Sequence, residues 1–240
     1  MGFATQTVSI LVGFALLASL FVYLTVRDAG NWRRKMEDIL LPIGFAPVSV
    51  PAERAALAQS LGILQPAHTG KRLLQHAYRR PDPDGRFTLY VCDYYFGSAS
   101  GRARGGNWLL VCLRSDALAL ARFIVHTLPA EAGAFHGRLF ALLGQAIDMP
   151  GLQRLQTGDA SLDQRCQVFV PTGERTLPLP AALLRSLGDV AGGANVDAGG
   201  DILILSSIGM MAERIRQVLD PQKLQALMQA ATGLYGALRV

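Results

Sequence analysis

The sequence predicts an α+β domain carried behind a single N-terminal transmembrane helix. Three observations predict it. Residues 8–26, VSILVGFALLASLFVYLTV, contain no charge. From residue 71 to 128, apolar residues alternate with period two around turn-forming clusters. Strand-like and helix-like segments then come in separate runs rather than as βαβ repeats, the α+β arrangement.

Composition sets the outer bounds. The chain has 240 residues, 50% hydrophobic and 17% charged, with net charge +5 and mean hydropathy +0.27. That length suits one compact domain with an appendage. Charge falls below the roughly 25% of an ordinary soluble domain, and apolar content this high excludes disorder. Cys92, Cys112 and Cys166 are too few and too scattered for a disulfide framework or a zinc ribbon.

As a helix the stretch 8–26 is about 28 Å long, close to the roughly 30 Å of a bilayer's hydrocarbon core. A cleaved signal peptide is the rival reading. It wants a basic start and a shorter apolar core, whereas MGFATQT has no basic side chain. The same start fails as a myristoylation signal, because Gln6 stands where Ser or Thr belongs. Arg27, Arg33, Arg34 and Lys35 follow the segment, against Asp28 alone. The positive-inside bias therefore predicts that the N-terminus lies outside and the C-terminal domain in the cytoplasm. Those four basic residues, with Trp32 as an aromatic anchor, are the expected membrane-interface set, facing anionic lipid headgroups.

In NWRRKMEDILL, Trp32, Met36, Ile39 and Leu40 recur at helical spacing. Such a helix suits either the membrane surface or packing on the domain that follows. AERAALAQSLG (52–62) reads as a second short helix closed by Gly62. RLLQHAYRR and RFTLYVCDYYF flank Pro81-Asp82-Pro83-Asp84-Gly85 and form a hairpin, since proline fixes φ and Gly85 accepts φ > 0. NWLLVCLR and LARFIVHTL (120–128) complete an expected antiparallel meander. A helix is expected from Pro129 to about Gln145, then an irregular stretch, a strand at 164–170 and a helix near 180–187. Residues 188–200, GDVAGGANVDAGG, read as glycine-rich loop around a short edge strand. DILILSS (201–207) is a buried strand, and Asp220-Pro221 caps a closing helix. The expected divisions are an anchor (1–30), a juxtamembrane helical segment (31–67) and an α+β domain (68–240).

The search for chemistry is largely negative. No CxxC, HExxH or GxSxG occurs. HTGKR (68–72) lacks the earlier glycine and following Ser/Thr of a phosphate loop, and GSASGRARGG and GGANVDAGG lack GxGxxG spacing. His68, His76, His126 and His136 have no i,i+4 pair, although the meander would make His76 and His126 neighbours. Cys92 and Asp93 are adjacent on a strand, so they point to opposite faces and cannot act together. Asp93, between Val91 and Tyr95 on its face, is a candidate buried polar group that would need a partner such as an arginine or a Tyr hydroxyl. No catalytic, cofactor-binding or metal-ligating residue is assigned.

Arg79, Arg80 and Arg86 at the first hairpin, with Arg102 and Arg104 in the next loop, form a candidate basic patch for partner contacts. Anionic lipid, an acidic partner surface and plain solvated loops all suit it. Residues 36–240 carry 19 basic against 17 acidic groups and no recognised binding motif, which argues against nucleic acid.

The segments RFTLYVCDYYFGSASGR, ARFIVHTLP, IDMPGLQRLQ and DILILSS, behind an apolar anchor with a basic exit, resemble a group of uncharacterised bacterial single-pass membrane proteins. In that group a D-Y-x-Y-type strand and a glycine-containing loop recur in the same order. The resemblance implies a membrane-anchored bacterial domain and carries no catalytic residue. The sequence thus leads to the expectation of a non-enzymatic accessory or scaffold subunit of a larger integral-membrane assembly. The alternative is a membrane-tethered module binding a small molecule or lipid headgroup. An enzyme of unrecognised type would instead need Asp93, His76 and His126 or Cys92 gathered in one cleft.

Overall fold

A computed structural model describes residues 31–64, 72–96, 106–128, 151–190, 193–207 and 219–239. The expected anchor 8–26, Arg27, Arg102, Arg104, His68, His136 and the helix expected from Pro129 lie outside those residues. Among the described residues no helix is long and apolar enough to cross a membrane.

The chain divides into two compact units, Met1–Ile43 and Gly44–Val240. In the first, helix α1 covers residues 31–40 and runs into a 3-10 turn at Leu41–Ile43. Trp32, Met36 and Leu40 recur every fourth residue and are fully buried. Arg33, Arg34 and Lys35 are exposed between them.

The second unit is an α+β domain on one nine-stranded antiparallel sheet. Its strands are β1 (Ala46–Pro47), β2 (Arg72–Pro81), β3 (Thr88–Phe96), β4 (Gly106–Arg114), β5 (Leu120–Thr127), β6 (Leu152–Leu155), β7 (Cys166–Pro171), β8 (Asn195–Gly200) and β9 (Ile202–Ser206). They lie in the order β1-β2-β3-β4-β9-β8-β5-β7-β6. Four described helices accompany them: α2 (Pro51–Ser60), α3 (Ala160–Asp163), α4 (Ala181–Asp189) and α5 (Pro221–Leu238).

The first hairpin closes as its residues dictate. Gly85 takes φ 69°, its N–H donates to the Asp82 carbonyl at 2.9 Å, and the Asp82 N–H donates to the Phe87 carbonyl at 2.9 Å. Strand alternation then splits the β3 side chains. Tyr90, Cys92 and Tyr94 face one side and cluster with Leu57 of α2, Leu61, Leu110 and Cys112 of β4, and Ile202 and Ile204 of β9. Phe87, Leu89, Val91 and Asp93 face the other. There the Phe87 ring meets Tyr235 of α5 edge-on at 5.0 Å, so α5 covers this second side. Leu224, Leu227, Ala231 and Leu234 are the fully buried stripe of α5, and the Asp220 carboxylate caps its first turn by accepting the N–H groups of Gln222 and Lys223.

Topology departs from the expected meander at its fourth strand. β5 does not pair with β4, because the β9–β8 hairpin lies between them. The link between β4 and β5 passes the tip of that hairpin, where the Ser115 N–H donates to the Asp201 carbonyl at 3.0 Å. The glycine-rich stretch is therefore an interior strand, not a loop around an edge strand. Gly200, at φ 60°, makes the two-residue turn to β9. The stretch read as irregular after residue 150 contains the edge strand β6.

Candidate functional site

Charged side chains from three places meet where the β2–β3 turn, the end of β4 and the C-terminus of α5 come together. An open cleft of about 550 Å³ lies there, lined by Arg86, Thr88, Arg114, Ser115, Asp116 and Arg239, among others. The turn places Asp82 so that its carboxylate accepts from Arg86 Nε at 2.7 Å and from its terminal nitrogen at 3.1 Å. Asp84 pairs with the same guanidinium at 3.1 Å. The Arg86 hydrogen bond holds the Asp82 carboxyl below the usual carboxylate range. Arg114 pairs with Asp201, which also accepts from the Ser60 hydroxyl at 3.3 Å. Beneath the cleft, the Arg86 carbonyl accepts from Ser115 Oγ at 2.6 Å and from the Tyr235 hydroxyl at 3.1 Å. Three elements are thus tied at one oxygen. Arginine and aspartate side chains both line the opening, which suits a polar surface of mixed sign.

The expected basic patch is not one surface. Arg79 and Arg80 are neighbours on β2 and project from opposite faces. Arg79 pairs with Glu53 of α2 at 3.1 Å. Glu53 also accepts from the Tyr90 hydroxyl at 3.3 Å, and burial, reinforced by Glu53, pushes Tyr90 up to about 12. Arg80 lies over the Phe45 ring at 4.9 Å. Among its described members, Arg86 is the one at the cleft. Of the expected interface set, Arg33 is exposed and pairs with Glu37 at 2.9 Å, Arg34 and Lys35 are exposed, and Trp32 is fully buried.

Asp93 is fully buried. The residues opposite it in the ladder are His76 on β2 and Leu109 on β4. His76 and His126, expected as neighbours, stand five strand spacings apart, roughly 24 Å. β3 and β4 already stand between β2 and β5, and the inserted β9–β8 hairpin adds two more strands. Cys92 is on the face opposite Asp93, packed with Cys112, whose thiol burial pushes well above its ordinary value. Cys166 is pushed up to about 12, also by burial. Buried thiols of this kind are poor nucleophiles. The Asp93, His76, His126 and Cys92 grouping that catalysis would call on is not assembled.

A second polar grouping had no sequence signal. Ser206 of β9 lies opposite Asn195 of β8, and His126 of β5 opposite Gln167 of β7. The β5–β8 register places Asn195 next to His126, so four polar side chains run across four strands on one face. Asn195 Oδ1 accepts the Thr127 N–H at 3.2 Å. His126 meets the Phe169 ring edge-on at 5.8 Å, and burial lowers its pKa. Asp197, two residues along β8 on that face, is pushed up to about 6 by burial, with Arg122 pulling the other way. Among the described residues no group of three or more His, Cys, Asp or Glu is arranged to hold a metal ion.

No family model, curated protein or solved structure matches the chain.

Proposed function

We propose that the chain is a single-pass, membrane-anchored accessory or scaffold subunit whose α+β domain contacts a larger integral-membrane assembly from the cytoplasmic side. The observation that carries this reading is the uncharged apolar run 8–26 followed at once by Arg27, Arg33, Arg34 and Lys35. Two features of the domain support it. Both sides of the sheet are packed with side chains, and an open cleft lined by Arg86, Arg114, Asp116 and Arg239 presents charge of both signs. Such a surface pairs with a partner's charges and sets specificity and encounter rate.

Affinity purification from gently solubilised membranes tests the proposal. Stoichiometric integral-membrane partners are expected, and the double charge reversal Arg86→Glu, Arg114→Glu is expected to release them. A chain that runs alone in mild detergent at native abundance overturns the reading.

The cleft volume favours one second reading, a membrane-tethered module that binds a small polar molecule or a lipid headgroup. In that case the purified chain gains thermal stability with the ligand, and the same double variant loses the gain without losing the partner-free fold.

A further inference from the structure

We infer that the turn Leu41–Ile43, together with the exposed face of α1 before it, is a bilayer-contact surface whose Leu41 and Ile43 side chains enter the boundary between headgroups and acyl chains. This rests on the membrane-anchored reading above. Leu41 is 47% and Ile43 41% exposed, and Val50 is the one other large hydrophobic exposed among the described residues. A protein that buries nearly all its described apolar side chains leaves two of the exceptions in one three-residue turn. Pro42 between them is exposed as well.

Chain continuity keeps them within reach of the bilayer. Four residues separate Val26 from Asn31, a reach of at most about 18 Å from the last apolar residue to the first described residue of α1. α1 adds about 15 Å of length. The turn therefore cannot lie far from the end of a membrane-spanning 8–26. Leu41 follows Arg34 by seven residues, two helical turns, so Leu41 continues the exposed face of α1, and Ile43 joins it by its own exposure in the 3-10 turn. Arg33, Arg34 and Lys35 on α1 favour an anionic leaflet. Asp38 is exposed on that face too and opposes them, so apolar insertion rather than charge is the main attraction. The buried face of α1, with Trp32, Met36 and Leu40, is not the inserted one.

The test uses the full chain in vesicles of phosphatidylcholine and phosphatidylglycerol, with an environment-sensitive fluorophore on Ile43→Cys or, as control, Glu174→Cys. All three native cysteines are buried, so the added thiol takes the label. Blue-shifted emission at position 43, quenched several-fold more by bromine-labelled acyl chains than at 174, is expected. Water-like emission without quenching at 43, in protein that resists carbonate extraction, overturns the contact surface and leaves the anchor standing. Release of the protein by carbonate overturns the anchor, and the inference with it.

Discussion

Asp197 carries the clearest consequence of burying one residue. Its folded-state pKa is pushed up to about 6 from an ordinary 3.8, with burial the first cause. A carboxyl raised in this way contributes nothing unfavourable while both states are protonated. As pH rises from about 4 to about 6, the unfolded chain ionises first and stability falls. Above that window a buried carboxylate is held at a cost of about 1–3 kcal/mol. Asp197→Asn is therefore expected to stabilise the domain by that amount at pH 7 and to change little at pH 3.5, measured by urea denaturation at both values. An equal effect at the two pH values rules out ionisation as the cause. Nothing in the sequence marks this residue: NVDAGG lies in a stretch that reads as glycine-rich loop around a short edge strand, because Gly, Asp and Asn are depleted in strands. Asp93 was legible, because it interrupts an alternating apolar face of a strand whose ends are fixed by turn residues. The difference is that β3 declares itself locally, whereas β8 has β9 beside it in sequence but takes its interior place only through β5, far earlier in the chain.

At the scale of elements, the join between the first hairpin and α5 is a packing problem solved with two hydroxyls. Tyr235 places its ring against Phe87 and its hydroxyl on the Arg86 carbonyl, which Ser115 also reaches. Tyr235→Phe keeps the ring and leaves Ser115 on the carbonyl, so a loss of about 1 kcal/mol is expected. Tyr235→Ala also empties the space beside Phe87, and about 3–5 kcal/mol is expected. Urea midpoints for the two variants separate the terms; equal losses would show that the ring contributes nothing beyond its hydroxyl. The elements themselves were readable wherever a boundary has its own chemistry: PDPDG, Asp220-Pro221, and the apolar stripe of α5. β6 was missed because a four-residue strand of half-buried side chains has too few alternations to register. The Arg79–Arg80 pair misled for a different reason. Adjacent basic residues suggest a patch in one dimension, and strand geometry sends them to opposite faces.

The order β1-β2-β3-β4-β9-β8-β5-β7-β6 makes the C-terminal hairpin the centre of the whole sheet. β4 and β5 are five residues apart in the chain, yet each completes its ladder only with residues after 194. Sequence neighbours pair in sheets often enough that a meander is the natural first reading; here the long-range pairing wins because β9 is apolar on both faces and all five of its residues are buried. A strand of that kind has no stable place at an edge. The consequence is cooperativity across the two halves. Removing packing from β9 should weaken β2–β4 on one side and β5–β7 on the other together. Leu205→Ala, at a fully buried position opposite Val111 of β4 and Val196 of β8, is expected to cost about 2–5 kcal/mol. Native-state hydrogen exchange followed strand by strand checks the point. Amides of β3 and β7 should lose protection by the same free energy, since neither half keeps a closed interior edge without the hairpin. If β3 stays protected while β7 opens, the sheet is two cooperative units joined at β9 rather than one.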